Sequence, residues 1–297
     1  MIASGTIDPV VHRRGVPALL PGVAVVVVML LLAGCGEAVT AARHLTRPTK
    51  TAAVSSPAPA DPDIPAIPAL PSGTVYVATA TVASLPIYST PRAFGPAQTL
   101  ANPNELGAPL TLLVDKWEGG WLDVYLPERP NEVTGWVSQN DVSLATDNEH
   151  LVVSLGLRLV ALYRNGAQVF TAPVAVGTPD SPTPMGHFFV TEVLKLTDPG
   201  DAYGPYALGL SGFSNTYYSF DGGPGQIAIH GTNQPWVIGG YASHGCVRLA
   251  NPDITALASQ VPAGTPVDIV ARGPFSPRPG PPTRAGCPSR AFLTECV

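Results

Sequence analysis

The sequence predicts a mostly β chain: a small β-barrel, then a larger β-sandwich domain carrying one or two short helices. Three observations predict this. The 297 residues include 34 prolines and 30 glycines but only 12% charged residues, a mix suited to short strands and frequent turns. Short runs rich in Val, Tyr and Trp recur through residues 74–145 and again through 150–270, with Gly, Pro and Asn between them. One segment, "NPDITALASQV" (251–261), carries a helix-start signal, with Asn251 as N-cap, Pro252 in the first turn and Asp253 near the positive helix end. Net charge is −5 and no Lys/Arg run grips phosphate, so nucleic acid is excluded as a natural partner.

The first 35 residues read as an export signal. Arg13 and Arg14 precede the apolar run "VPALLPGVAVVVVMLLLA", and "LAGC" closes it at Cys35. An uncleaved membrane anchor is the alternative, since the run is long enough to span a bilayer. The L-A-G-C ending resembles the lipobox of bacterial lipoproteins. That likeness implies a signal peptide over 1–34, lipid on Cys35, and attachment to the outer face of the cytoplasmic membrane. Residues 35–72 hold seven prolines between Pro48 and Pro71 among Ala, Thr and Ser, a composition that builds no core and serves as a spacer.

Residues 73–146 form the first folded block. "TVYVATA", "LPIYS", "TLLVDKW", "WLDVYL" and "GWVSQNDV" predict five short strands, and "EGG" (118–120) predicts a hairpin turn. In "WLDVYL", Leu122, Val124 and Leu126 alternate with Trp121, Asp123 and Tyr125. The spacing of "GGWLDVYLP" and "GWVSQNDV" resembles bacterial SH3-like domains found in cell-wall proteins. The likeness implies a wall-binding or substrate-positioning module, with a plain spacer domain as the other reading.

Residues 149–272 form the second block. "LVVSLGLRLVALYRNGAQVFTAPVAVG" predicts a hairpin turning at Asn165-Gly166, with strands apolar on both faces. "SPTPMGHFFVTEV" is a loop feeding a strand, "GQIAIHG" brings a strand up to His230, and "PAGTPVDIV" returns as a last strand. Residues 273–297 read as a tail.

The chemistry concentrates in "IHGTNQPWVIGGYASHGC" (229–246). Exported thiols tend to oxidise in pairs. With Cys35 given to lipid, and Cys287 and Cys296 close enough in sequence to bridge each other, Cys246 stands alone. A nucleophilic thiol needs a base or cation near it to lower its pKa from about 8.5. It also needs free N–H groups for an oxyanion, and Gly245 lets the main chain approach a substrate. His230 and His244 supply imidazoles. Three readings stand on these residues alone: a buried inert cysteine, a zinc site from His230, His244 and Cys246, and thiol catalysis. No fourth ligand sits at a metal-like spacing.

The stretch "IHGTNQPWVIGGYASHGCVRLANPDITALASQVPAGTPVDIV" resembles the motif of the L,D-transpeptidase (YkuD-type) family, a His followed after a gap by [S/T]-x-G-C. The likeness extends upstream to "LRLVALYRNGAQVFTAPVAVGTPDSPTPMGHFFV". It implies an L,D-transpeptidase-type sandwich behind the SH3-like barrel, and a cysteine acyltransferase of peptidoglycan needing neither metal nor organic cofactor. It further implies Cys246 as nucleophile, His230 as base, the Gly231 carbonyl orienting the ring, and N–H groups of Gly245 and Cys246 for the oxyanion. The substrate would be peptidoglycan stem tetrapeptides, joined as 3→3 cross-links, and carbapenem-type β-lactams would inactivate the thiol. His244, Arg248 and Ser243 are the substrate-side candidates. Arg248 replaces an Asn found in another branch and serves either a substrate carboxylate or a structural salt bridge, while Ser243 reads more as a structural hydroxyl. His187 reads as a plain strand residue, and His12, His44 and His150 offer no partner. Two other outcomes remain at this level: an L,D-carboxypeptidase in which water takes the acyl group, and a non-catalytic wall-binding lipoprotein.

Overall fold

Pairs of positive-φ residues set the first lobe's main hairpin. The computed structural model describes residues 70–220 and 222–272, all within one compact unit. The signal segment 1–34, Cys35, the linker up to residue 69, and the tail 273–297 with Cys287 and Cys296 lie outside the described residues.

The first lobe holds seven strands: β1 (Val75–Ala80), β2 (Ser84–Ile87), β3 (Gln98–Ala101), β4 (Thr111–Glu118), β5 (Trp121–Tyr125), β6 (Thr134–Ser138) and β7 (Val142–Asp147). Five of them make an antiparallel sheet in the order β6-β5-β4-β1-β7, and β2 pairs β3 beside it. Gly119 and Gly120 join β4 to β5 with φ of 53° and 83°, the backbone a two-residue hairpin needs. Leu122 and Val124 of β5 point into a core with Leu85, Leu112 and Val137. Asp123 departs from the expected outward set, because it is buried and held by the Lys116 ammonium at 2.8 Å.

The second lobe contains β8 (Glu149–Ser154), β9 (Leu159–Arg164), β10 (Ala167–Pro173), β11 (Val176–Gly177), β12 (Gly186–Lys195), β13 (Tyr206–Phe213), β14 (Gln226–His230), β15 (Tyr241–Ser243), β16 (Val247–Arg248), α1 (Asn251–Ala258) and β17 (Pro266–Val270). The predicted single strand over 151–163 is in fact two antiparallel strands. Arg158 turns the chain at φ 52°, and a Cβ on Gly156 would lie 2.7 Å from the Ala271 carbonyl, so only glycine passes there. The next turn is as Asn-Gly dictates, with φ of 51° and 76° at Asn165 and Gly166. β10 proves to be a largely exposed edge strand, not one buried on both faces.

Eight strands run in the order β10-β9-β8-β17-β12-β13-β14-β16. β12 is the pivot. Its first half pairs β17, its second half pairs β13, and the register shifts between Val190 and Glu192. Leu151, Val153 and Leu162 from one end therefore share a core with Leu208, Ile229 and Val247 from the other, so the sheet curls around a single interior. Ile254 and Leu257 of α1 close that core.

β12 also joins the two lobes. Strand alternation sends consecutive rings to opposite faces: Phe188 fills the second lobe's core, and Phe189 fills the first lobe's. Both are essentially fully buried. Polar contacts seal the same junction, with Asn131 both accepting from the Phe213 N–H (2.8 Å) and donating to its carbonyl (3.0 Å).

Candidate active site

Strand register assembles the site. β14 and β16 run parallel, with Ile229 opposite Val247 and His230 opposite Arg248. Ile227, Ile229 and Val247 enter the core, which puts Ala228, His230 and Arg248 on the other face. Cys246 sits one residue before β16, and the Ala228 N–H reaches its sulfur. Thiol, imidazole and guanidinium thus gather at one end of two adjacent strands. The excursion between them, with a 3-10 turn at Pro235–Val237, is tied back by Gly239 N–H to the Val174 carbonyl (3.1 Å).

His230 is buried, and its Nδ1 lies 2.6 Å from the Gly231 carbonyl. With the proton on Nδ1, that contact orients the ring. The Tyr203 ring stacks obliquely on the imidazole, centroids 4.6 Å apart. Burial, joined by the nearby Arg248 charge, pushes the imidazole pKa down to about 4, against the pull of the Gly231 and Tyr203 carbonyls. A Cβ on Gly231 would fall 2.5 Å from Asn251 Oδ1 and 3.0 Å from Pro205, so the carbonyl that orients His230 belongs to a residue that must be glycine.

The thiol does not carry the lowered pKa expected of it. Cys246 is a free cysteine, and burial pushes its pKa up, with the Ala228 N–H and Arg248 opposing. Both shifts favour neutral thiol beside neutral imidazole over the ion pair.

Ser243 is almost wholly buried and braces the turn. Its Oγ donates to the Cys246 carbonyl (2.5 Å) and accepts from the Gly245 N–H (3.2 Å), while its carbonyl accepts from Thr178 N–H (3.0 Å). Burial removes it from the substrate-side set. The same bond engages the Gly245 N–H, so of the two expected oxyanion donors only the Cys246 N–H is untouched by Ser243. Gly245 itself has φ +125°, a conformation L side chains rarely adopt.

Residues 148–269 match the family model of YkuD, the L,D-transpeptidase catalytic domain. The segment is thus similar to YkuD-type domains. YkuD of Bacillus subtilis strain 168, named as an L,D-transpeptidase, is 38% identical over 120 residues, covering 40% of this chain and 65% of the relative. ErfK/SrfK of Salmonella typhimurium strain LT2, named likewise, is 30% identical over 168 residues, covering 51% of this chain and 53% of the relative. The matches thus span between about half and two thirds of these curated relatives. Among solved structures, an L,D-transpeptidase from Mycobacterium smegmatis is 18% identical, covers 48% of this chain and 76% of its own, and has a TM-score of 0.32.

Around the thiol, His244 is exposed and lies against the rings of Tyr217 and Phe220, centroids 5.7 and 5.0 Å away. Arg248 forms no salt bridge among the described residues, and its buried Nε has no hydrogen-bond partner. Its guanidinium lies close enough to Cys246 and His230 to act on both electrostatically. Among the described residues no three His, Cys, Asp or Glu side chains converge as a metal site.

Two residues, Asn251 and His150, were misread. Asn251 does not cap α1, whose N-cap is Ala250. Its Oδ1 instead accepts the Thr232 N–H at 2.8 Å, tying the turn after His230 to the helix. Its position before Pro252 is a good cap signal, and nothing local distinguishes the two uses. His150 does have a partner, which it shares with the strand residue His187: their rings lie 3.0 and 2.7 Å from the two oxygens of Asp268. Burial works to raise the Asp268 pKa, yet these two hydrogen bonds hold it well below the usual carboxylate range. Residues 118 and 81 positions apart in sequence leave no local trace of such a cluster.

Proposed function

We propose that this chain is a peptidoglycan L,D-transpeptidase that forms 3→3 cross-links between stem peptides through a thioacyl intermediate on Cys246. The observation that supports the reading is the β14–β16 register, which brings His230, Cys246 and Arg248 to one end of two adjacent strands, in a segment that matches the YkuD model. His230 Nε2 takes the thiol proton as Sγ bonds to the carbonyl carbon of the stem's third residue, a diamino acid. The C–N bond to D-Ala breaks, and the same proton passes to the departing amine. The amine of a second stem then attacks the thioester, the C–S bond breaks, and the amine's proton returns to sulfur through His230. The Cys246 N–H supports the oxyanion, and Arg248 receives a stem carboxylate through a planar fork suited to it. Water in place of the second amine would make the enzyme a carboxypeptidase.

The remaining assignments belong to the same proposal. Residues 73–146 serve as an SH3-like module, and Cys35 carries the lipid that holds the chain outside the cytoplasmic membrane, with residues 35–72 as a spacer reaching into the wall. His244, at the exposed rim, lies on the substrate side.

The test uses the chain from residue 36 onward with purified disaccharide tetrapeptide, read by mass spectrometry beside Cys246→Ala. Cross-linked dimers with loss of D-Ala, from the wild type alone, are the expected result. Tripeptide monomers alone would reassign the acceptor to water. No product and no carbapenem adduct on Cys246 would overturn the catalytic reading and leave a wall-binding protein.

A further inference from the structure

Five contacts from one first-lobe side chain converge on a single segment of the second lobe. Arg129 lies between β5 and β6. Its Nη2 donates to the carbonyls of Ser214 (2.8 Å) and Tyr217 (2.9 Å), and its Nη1 donates to the Pro224 carbonyl (3.2 Å). The guanidinium also lies between two rings, 4.7 Å from the Phe213 centroid and 4.8 Å from that of Tyr218. Three carbonyls and two ring faces call for a planar, many-donor cation, which Arg is and Lys is not. The backbone is shaped for the contact: a Cβ on Gly225 would lie 2.1 Å from the Tyr217 carbonyl and 3.3 Å from Arg129 Nη2.

The segment so held, Ser214–Phe220, borders the thiol loop. Tyr217 and Phe220 present their rings to His244. Ser214 Cβ stands 3.9 Å from where a Cβ on Gly245 would be. Arg129 therefore connects the first lobe to the residues immediately before Cys246 through one intervening layer. Simple lobe adhesion would not need this arrangement, because Phe189 and Asn131 already join the lobes.

We infer that Arg129 is a positioning residue for the Cys246 site, holding Ser214–Phe220 as a substrate-facing wall so that the first lobe helps set substrate affinity. The inference rests on the transpeptidase reading for its substrate, but the ordering of the segment can be tested without it.

The experiment compares the wild type with Arg129→Ala, Arg129→Lys and Asn104→Ala. The last removes a different interlobe bond, Asn104 to Glu192 at 2.9 Å. Three quantities are read: amide hydrogen exchange over 214–220, KM and kcat on disaccharide tetrapeptide, and the rate of Cys246 alkylation by iodoacetamide. In Arg129→Ala the exchange accelerates, KM rises about tenfold, and kcat and alkylation stay within about twofold of wild type. Arg129→Lys falls between, and carries the test should the alanine variant not fold. Asn104→Ala keeps the wild-type KM and exchange. Unchanged exchange in the Arg129 variants overturns the inference, as does faster exchange with an unchanged KM. An inactive wild type would instead overturn the transpeptidase reading, with the exchange comparison still deciding whether Arg129 orders the segment.

Discussion

Burial acts on Cys246 and His230 in opposite directions, raising the thiol and lowering the imidazole, and Arg248 adds to one shift while opposing the other. The sign of each effect is testable. With His230 at about 4, the acid limb of kcat/KM should lie near pH 4, well below an ordinary histidine. Thiolate absorbance should appear only at higher pH than for an ordinary thiol, because burial holds the proton on sulfur. Arg248→Ala removes a cation that lowers both groups. The variant's acid limb should therefore move up in pH and its thiolate should appear at still higher pH, while KM rises for a stem bearing a free carboxylate. Thiolate already formed at pH 7 in the wild type would sink the neutral-pair account. The Ser243 brace adds a reason for the loop's composition. A single buried hydroxyl holds both the Gly245 N–H and the Cys246 carbonyl, so the thiol's backbone is fixed before substrate arrives.

Among the elements, α1 contributes less through its core face than through its first residue. Asn251 holds Thr232, and Thr232 follows the glycine whose carbonyl orients His230. Asn251→Ala should lower kcat about tenfold by letting that carbonyl drift, with little change in KM. Asn251→Asp keeps the acceptor oxygen and should recover most of the loss; equal losses in both variants would mean the side chain matters only to the helix. What could be read beforehand at this scale follows one physical rule. Turns whose geometry depends on residue type, Gly119-Gly120 and Asn165-Gly166, were legible, as were strand β5 with its alternation and strand β14 leading to His230. β3 escaped because its exposed residues carry no buried period, and β8 and β9 merged because two buried strands in succession lack the polar break that separates them. Cys246 and His230 stood out because chemistry restricts their residue types. Asn251, Arg129 and the Asp268 pair did not, since their meaning lies in partners far along the chain.

Across the whole molecule the question is whether the first lobe stands apart or folds with the domain it precedes. Strand β12 of the second lobe drives Phe189 into the first lobe's core while its neighbour Phe188 anchors its own, so neither core is complete without it. Arg129 and Asn131 then fasten the end of β13 to the same lobe. Cores that share a strand cannot open independently without exposing a large ring to water, which costs about 1.5–3 kcal/mol for the transfer alone. Heating the described region should therefore give one cooperative transition. Phe189→Ala leaves a cavity in the first lobe and should cost about 3–5 kcal/mol. For a unit of this size that lowers the midpoint on the order of 10 °C, with a tryptophan signal from the first lobe and far-ultraviolet dichroism from both lobes moving together. Trp117, Trp121 and Trp136 lie in the first lobe and Trp236 in the other, so Trp236→Phe leaves fluorescence reporting the first lobe alone. In that background, fluorescence that shifts down in Phe189→Ala while the β signal of the second lobe keeps its wild-type midpoint would show two separable domains. The first lobe would then act on the site only by tethering it. Coincident shifts would make the first lobe part of the second lobe's own folding unit, and its removal would unfold the segment beside Cys246 rather than merely release it.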